Sequence, residues 1–244
     1  MNIMFLMGSM HIDTNKSGYP MYLTEINGKM ILEQQIEYMQ KLNSCHFLFA
    51  LKESEIKLFR SDSVIRQIVP DAEIVEIKQQ TMGALCTAML GIKTIDNDDE
   101  LLLVGIDDFM DSDVAKVISE FRVKNADAGI VSFQSVHPRY SFVKMNATDE
   151  PLEFAEKNPI SKNALVSFYY FKQGKTFIES AKQVIRKDSP VNGNFYISQA
   201  LNEMILQQKK ICVHKITTNQ FHPLKTEQQM AEYLTELNDK KGSK

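Results

Sequence analysis

The sequence predicts an α/β protein whose strands and helices alternate in the first half and whose second half adds antiparallel strands. Three observations carry that expectation. Residues 101–104 (LLLV) are an unbroken apolar run, which suits a central parallel strand covered on both faces. Short apolar runs alternate with helix-spaced segments from residue 3 to residue 134. From residue 140 onward the pattern turns to alternation and to the aromatic run LVSFYYF. At 244 residues, with 43% apolar and 24% charged side chains, the chain is long enough for one large domain of ordinary composition. No linker or internal repeat divides it, so residues 1–238 are expected to form a single domain and 239–244 a disordered tail.

The elements follow in order. MNIMFLMGS lacks a basic leading region and a long apolar one, so it reads as a first strand over 3–7 and not as a signal peptide. Gly8-Ser9 and a polar loop to Gly18 come next. Residues 20–26 and the pair Asn27-Gly28 read as an extended piece with a tight turn. Ile31, Ile36, Met39 and Leu42 fall at helical spacing, giving a helix over 30–42. A strand over 46–50, a polar helical region over 53–66 and a strand over 73–77 follow. Thr81-Met82-Gly83-Ala84 opens a helix to about residue 92, with Thr81 as N-cap. Beyond 101–104, a helix is expected over 114–124 and a strand over 128–134. The second half holds strands at 140–145, 152–155, 165–171 and 211–216, and helices over 176–187, 195–207 and 227–238.

Composition excludes several classes of function. A formal charge of -3 leaves no footprint for nucleic acid or a membrane surface, and no run approaches the ~18 apolar residues of a membrane span. Cys45, Cys86 and Cys212 are far apart and odd in number, with neither zinc spacing nor a disulfide framework. A reducing cytoplasm is the expected location.

Candidate chemistry lies in four stretches. After the buried run, GIDDF carries Asp107 and Asp108 at the carboxyl end of a strand, where open α/β sheets bind ligands. Two adjacent carboxylates can hold Mg²⁺ against phosphate oxygens, or they can cap the helix that starts near Ser112. Gly8 and Ser9, after the first strand, stand where backbone amides can approach a phosphate. Thr81 and Gly83 open a helix that a ligand can approach, or merely make the turn. In EFAEKNPISKNA, Glu156 and Lys157 end a strand. The ammonium suits a phosphate and the carboxylate suits hydroxyls, although such a pair on its own is more often exposed surface.

Taken together, these stretches resemble the sugar-phosphate nucleotidyltransferases, or NDP-sugar pyrophosphorylases, in particular small bacterial members linked to capsule and surface polysaccharide. LEFAEKNPISKNALVSFYYFKQG is similar to the family's Phe-x-Glu-Lys-Pro run and following strand, and FYISQALNEMI and FHPLKTEQQM resemble its closing segments. The resemblance implies a Rossmann-like mixed sheet flanked by helices. It also implies transfer of a nucleoside monophosphate from a nucleoside triphosphate to a phosphorylated sugar or similar small molecule, with release of pyrophosphate and with Mg²⁺ as cofactor. On that resemblance Asp107 holds the metal with Asp108 beside it, Lys157 the sugar phosphate and Glu156 the sugar hydroxyls. Asn163 sits near the sugar, and Gly8, Ser9, Thr81 and Gly83 near the nucleotide. The sequence departs from the family in its first loop, GSMHIDTNKSGYPMYL, which has no arginine and carries Met21 where a lysine is usual. Lys16 or His11 are the available substitutes. A second, late metal carboxylate is also missing, with Pro223 near its place and Lys225 where a glycine is usual. Apolar helices in the second half would support a homodimer. Two other readings stay open: a non-catalytic relative that binds a nucleotide or partner, and a metal-dependent glycosyltransferase of related fold.

Overall fold

The apolar run at 101–104 does become the middle of a sheet. The structure, a computed structural model, describes residues 1–8 and 18–242, with side chains through 237. In the first half, β1 (Asn2–Leu6) is followed by a 3-10 turn at Met21–Leu23 and a small hairpin of β2 (Glu25–Ile26) and β3 (Lys29–Met30). Asn27 and Gly28 both take positive φ at its corner, as a tight hairpin turn requires. Then come α1 (Ile31–Gln40), β4 (His46–Lys52), α2 (Glu53–Phe59), α3 (Ser61–Ile68), β5 (Glu73–Ile77), α4 (Ala84–Met89) and α5 (Ile92–Ile95). After these come β6 (Leu101–Gly105), β7 (Asp108–Met110), α6 (Val114–Val123) and β8 (Ala128–Gln134). The second half comprises β9 (Ser141–Met145), β10 (Pro151–Glu156), β11 (Asn163–Phe171), α7 (Gly174–Lys187) and α8 (Ile197–Leu206). It closes with β12 (Ile211–Lys215), β13 (Phe221–Pro223) and α9 (Glu227–Gly242).

Nine strands share one mixed sheet in the order β10-β9-β11-β6-β1-β4-β5, with β8 on β11 and β12 on β8. β1 is parallel to β4 and β6, and β11 runs antiparallel to β6. The expected α/β class with a mixed sheet flanked by helices is therefore what forms. Side chains alternate across the sheet: Leu102 and Val104 pack into one apolar layer, Leu101 and Leu103 into the other. Helices α1, α3 and α6 cover the first layer, and α4, α5, α7 and α8 the second. A third cluster of Met21, Ile26, Ile31, Leu224, Met230 and Tyr233 ties the β2–β3 region to β13 and α9.

Four elements differ from expectation. The helical region at 53–66 breaks at Arg60, whose φ of 54° ends α2 and leads directly into α3. Ser61 is thereby buried, where its hydroxyl meets Tyr22. The helix expected from Thr81 begins only at Ala84, because Gly83 (φ 96°) turns the chain there, and it breaks after Met89. Gly91, between α4 and α5, packs closely on β1: a Cβ there would stand 3.2 Å from the end of the Met4 side chain. β7 and β13 form a two-stranded antiparallel ladder that no periodicity announced, since each has only three residues. The last helix runs to Gly242, past its expected end at 238. Among the described residues no helix is long and apolar enough to cross a membrane.

Candidate active site

A cleft of about 580 Å³ opens at the carboxyl ends of β1 and β6. Its floor is made by Leu6 and Gly8 at the end of β1, and by Gly105, Asp107 and Asp108 at the end of β6. The start of α4 contributes Gly83, Ala84 and Thr87 to one wall; Arg139, Tyr140 and Ser141 with Glu156 and Lys157 form the other. Asn194, Tyr196 and Lys225 also face it.

Local structure explains how the acids are held. β6 ends at Gly105, where a Cβ would approach Ser167 Cβ at 2.8 Å, so the backbone passes close to β11. The register of β11 against β8 shifts between Leu165 and Tyr169, and the Ser167 amide N–H at this irregularity donates to Asp108 Oδ2 at 3.2 Å. The β7–β13 ladder and the Leu224 amide, which donates to the Asp107 carbonyl at 2.7 Å, then bring Lys225 alongside. Lys225 Nζ stands 3.4 Å from Asp107 Oδ2 and 3.6 Å from Asp108 Oδ1. Asp108 Oδ1 accepts no hydrogen bond, so this ammonium is its counter-charge. Burial in the floor raises the Asp107 carboxyl, the Lys225 charge opposes the rise and Asp108 adds to it. The charges of Asp108 and Asp107 push the Lys225 ammonium well above its ordinary range, against the cost of burial, so it stays protonated. Neither acid caps a helix; that role falls to Asp113, whose carboxylate accepts from the amides of Ala115 and Lys116.

Across the cleft, Glu156 ends β10 and its Oε2 accepts from the hydroxyls of Ser141 and, at 3.2 Å, Ser198. Burial raises the Glu156 carboxyl, and those two hydrogen bonds and the nearby Lys157 and Lys225 charges oppose the rise. Lys157 takes a left-handed backbone conformation (φ 53°), its amide donating to Tyr140 O at 3.0 Å. That turn swings its side chain over the Tyr196 ring, with Nζ 5.4 Å from the centroid. Arg139 lies 5.7 Å from the Tyr140 ring centroid and its Nε donates to His137 Nδ1 at 3.2 Å.

The structure thus brings Gly8, Gly83, Asp107, Asp108, Glu156 and Lys157 to one cleft. Two expected site residues are placed elsewhere. Asn163 begins β11 at the sheet's periphery, where its side-chain oxygen accepts from Gln134 Nε2 at 3.0 Å. Thr81 is not the cap of α4; its hydroxyl pairs with Thr87, which does line the cleft. Gly83 has a reason beyond ligand approach: a Cβ there would meet Phe195 O at 2.4 Å. The Phe195 amide donates to Met82 O, and its carbonyl accepts from Leu85 N, which locks Tyr196 opposite α4. Ser9, His11 and Lys16 lie outside the described residues. Arg139, Ser141, Tyr196 and Ser198 were missed by motif reading. The HPRYS stretch before β9, with its cation, aromatic and hydroxyl, was the available signal for the first two.

Mg²⁺ was expected at Asp107 and Asp108, and the two carboxylates do adjoin the cleft. Among the described residues, however, no three or more His, Cys, Asp or Glu side chains gather to hold a metal ion. One Asp108 oxygen is taken by the Ser167 amide, and both carboxylates already face the Lys225 ammonium. One or two carboxylates with waters and substrate phosphates can hold Mg²⁺, so the count of acids does not decide the fit; the ammonium already set against both acids does, and with it in place the donor set does not fit a resident Mg²⁺ ion.

No family model and no curated protein matches the sequence. Solved structures do match along nearly its full length. A nucleoside-diphosphate-sugar pyrophosphorylase from Vibrio cholerae superposes with a TM-score of 0.80 at 23% identity, covering 96% of this chain and 99% of that one. A UDP-glucose pyrophosphorylase superposes at 0.75 in complex with UDP-glucose and at 0.74 in its apo form. Both share 13% identity and cover 98% of each chain. The chain has the fold of the nucleoside-diphosphate-sugar pyrophosphorylases.

Proposed function

We propose that this protein is a sugar-phosphate nucleotidyltransferase, joining a nucleoside monophosphate from a nucleoside triphosphate to a phosphorylated sugar and releasing pyrophosphate. The observation that carries this reading is the placement of the Glu156–Lys157 pair across one cleft from Asp107, Asp108 and Lys225, at the carboxyl ends of the central strands. An oxygen of the sugar phosphate attacks the α-phosphorus, and the bond from that phosphorus to the bridging oxygen of the β-phosphate breaks. No protein nucleophile or proton transfer is needed; in-line positioning and neutralisation of charge supply the acceleration. Lys157 holds the attacking phosphate. Glu156, kept in place by Ser141 and Ser198, accepts from sugar hydroxyls. Arg139 and Lys225 neutralise the triphosphate and the departing pyrophosphate. The activated sugar made this way is a building block for surface polysaccharide, and three free thiols suit synthesis in the cytoplasm.

The test is a pyrophosphate-release screen of the four common nucleoside triphosphates against a panel of sugar 1-phosphates. One pairing should turn over, and Lys157→Gly should slow it by ~10²-fold or more, the scale of removing a group that stabilises transition-state charge. Glycine accepts the backbone conformation of residue 157, so the variant should keep its melting temperature. Absence of pyrophosphate release from every pairing, or full activity in Lys157→Gly, would overturn the assignment.

A further inference from the structure

We propose that the Lys225 ammonium is the resident cation of this cleft, doing for the phosphates of a bound nucleotide what a divalent ion bridging Asp107 and Asp108 would otherwise do. The idea rests on the nucleotide-binding reading above, but its geometric premise stands apart from that reading. Nζ lies between the two carboxylates, 3.4 and 3.6 Å from their oxygens, both longer than the ~2.7–2.9 Å of a tight charged N–H···O bond. The ammonium therefore makes at most a weak hydrogen bond to Asp107, acts on Asp108 through charge alone and keeps donors for a ligand. The Asp108 side chain is 3% exposed, whereas those of Lys225 and Asp107 are 37% and 36% exposed, so a ligand meets the cation together with the outer acid, and the inner acid is closed off behind them.

The lysine is held there from both sides. Its own amide donates to Gln229 Oε1 at 3.0 Å in α9, and the preceding Leu224 is buried against Met230 and Tyr233. A divalent ion ~2.1 Å from Asp107 Oδ2 could stand no farther than ~5.5 Å from Nζ, where the two positive charges repel. Charge balance points the same way. Asp107, Asp108 and Glu156 face Arg139, Lys157 and Lys225 in the cleft, so Lys225 brings an otherwise acidic site to balance for an anionic ligand.

Two measurements on the purified full chain test this. Mn²⁺ alone, followed by electron paramagnetic resonance, should bind wild type at least tenfold more weakly than it binds Lys225→Met, and Asp107→Asn in that background should abolish the new site. Lys225→Arg, which keeps the charge, should exclude Mn²⁺ as wild type does, and Lys225→Gln, which removes the charge but keeps a polar side chain, decides the matter should Lys225→Met fail to fold. Calorimetric titration of wild type with each nucleoside triphosphate should give affinities within about threefold in EDTA and in Mg²⁺, with Lys225→Met losing ~10-fold or more in EDTA. Tight Mn²⁺ binding by wild type that Asp107→Asn removes would overturn the proposal, as would nucleotide binding that collapses in EDTA. If no triphosphate binds under either condition, the nucleotidyltransferase reading fails, while the Mn²⁺ titration still decides what occupies the space between the acids.

Discussion

Tyr22 and Glu55 show how single residues hold the molecule away from its cleft. Glu55 is 2% exposed, and the Tyr22 hydroxyl donates to its Oε2 at 2.6 Å while also meeting Ser61 Oγ at 2.8 Å. Burial raises the Glu55 carboxyl above the ordinary range, and the Tyr22 hydrogen bond and the Lys52 charge oppose that rise. A carboxyl raised on folding favours the folded state below its unfolded value, near ~4.3, and the benefit is lost as pH climbs through the folded value. Removing the hydroxyl in Tyr22→Phe lifts Glu55 further, so the penalty grows with pH. Thermal unfolding should show Tyr22→Phe destabilised by about 1–3 kcal/mol near neutrality, with a smaller deficit at pH 5. A deficit that is the same at both values would show that Glu55 ionisation is not involved. At this scale the place of Asp107, Glu156 and Lys157 at the cleft was legible in the sequence, because each stands at or just beyond the end of a recognisable strand. Arg139, Ser141 and Lys225 were not recognised as cleft residues, because the stretch that holds the first two and the late segment that holds the third meet only in the folded sheet. Ser198 acts through Glu156, a contact that no spacing announces.

At the scale of elements, the crossing of residues 82–85 with Phe195 governs the shape of one wall of the cleft. Gly83 has φ 96° and ψ 175°, a region that only glycine occupies without cost, and its missing Cβ leaves room for Phe195 O. Gly83→Ala should therefore lose about 1–3 kcal/mol from backbone strain, with more from displacing Phe195. For a chain of this length that is roughly 2–4 °C of melting temperature per kcal/mol, readable by calorimetry. An unchanged melting temperature would mean the crossing is looser than its hydrogen bonds indicate. The parallel strands β1, β4 and β6 were legible as apolar runs because both faces of that part of the sheet are buried. The breaks at Arg60 and Gly91 and the β7–β13 ladder were not. Each goes with a tertiary contact and leaves no periodic trace: Ser61 beneath Tyr22, Gly91 against Met4, and β13 beside β7. Asn163 was expected near the sugar on its place in a motif, yet its position in β11 directs it to Gln134.

For the whole molecule, the sheet order gathers the ends of β1, β6 and β10 and the α9 side of the chain around one cleft. The overall fold is what the chain shares with the pyrophosphorylase structures, at identities where fold is all the likeness shows. The class of the sheet and the location of the cleft were both legible from a buried strand that ends in acids. The ion pair that fills its floor was not, because Lys225 lies more than a hundred residues further along the chain. The central claim is that this cleft joins a nucleotide to a sugar phosphate. Phosphorus NMR on a mixture of protein, nucleoside triphosphate and sugar 1-phosphate tests it most directly, since both products are seen in one sample. The expected result is the coupled pair of resonances of a nucleoside-diphosphate sugar growing in step with pyrophosphate, with both growing ~10²-fold more slowly or not at all with Lys157→Gly. A spectrum that holds only starting phosphates across all pairings, or pyrophosphate without the diphosphate diester, would contradict it.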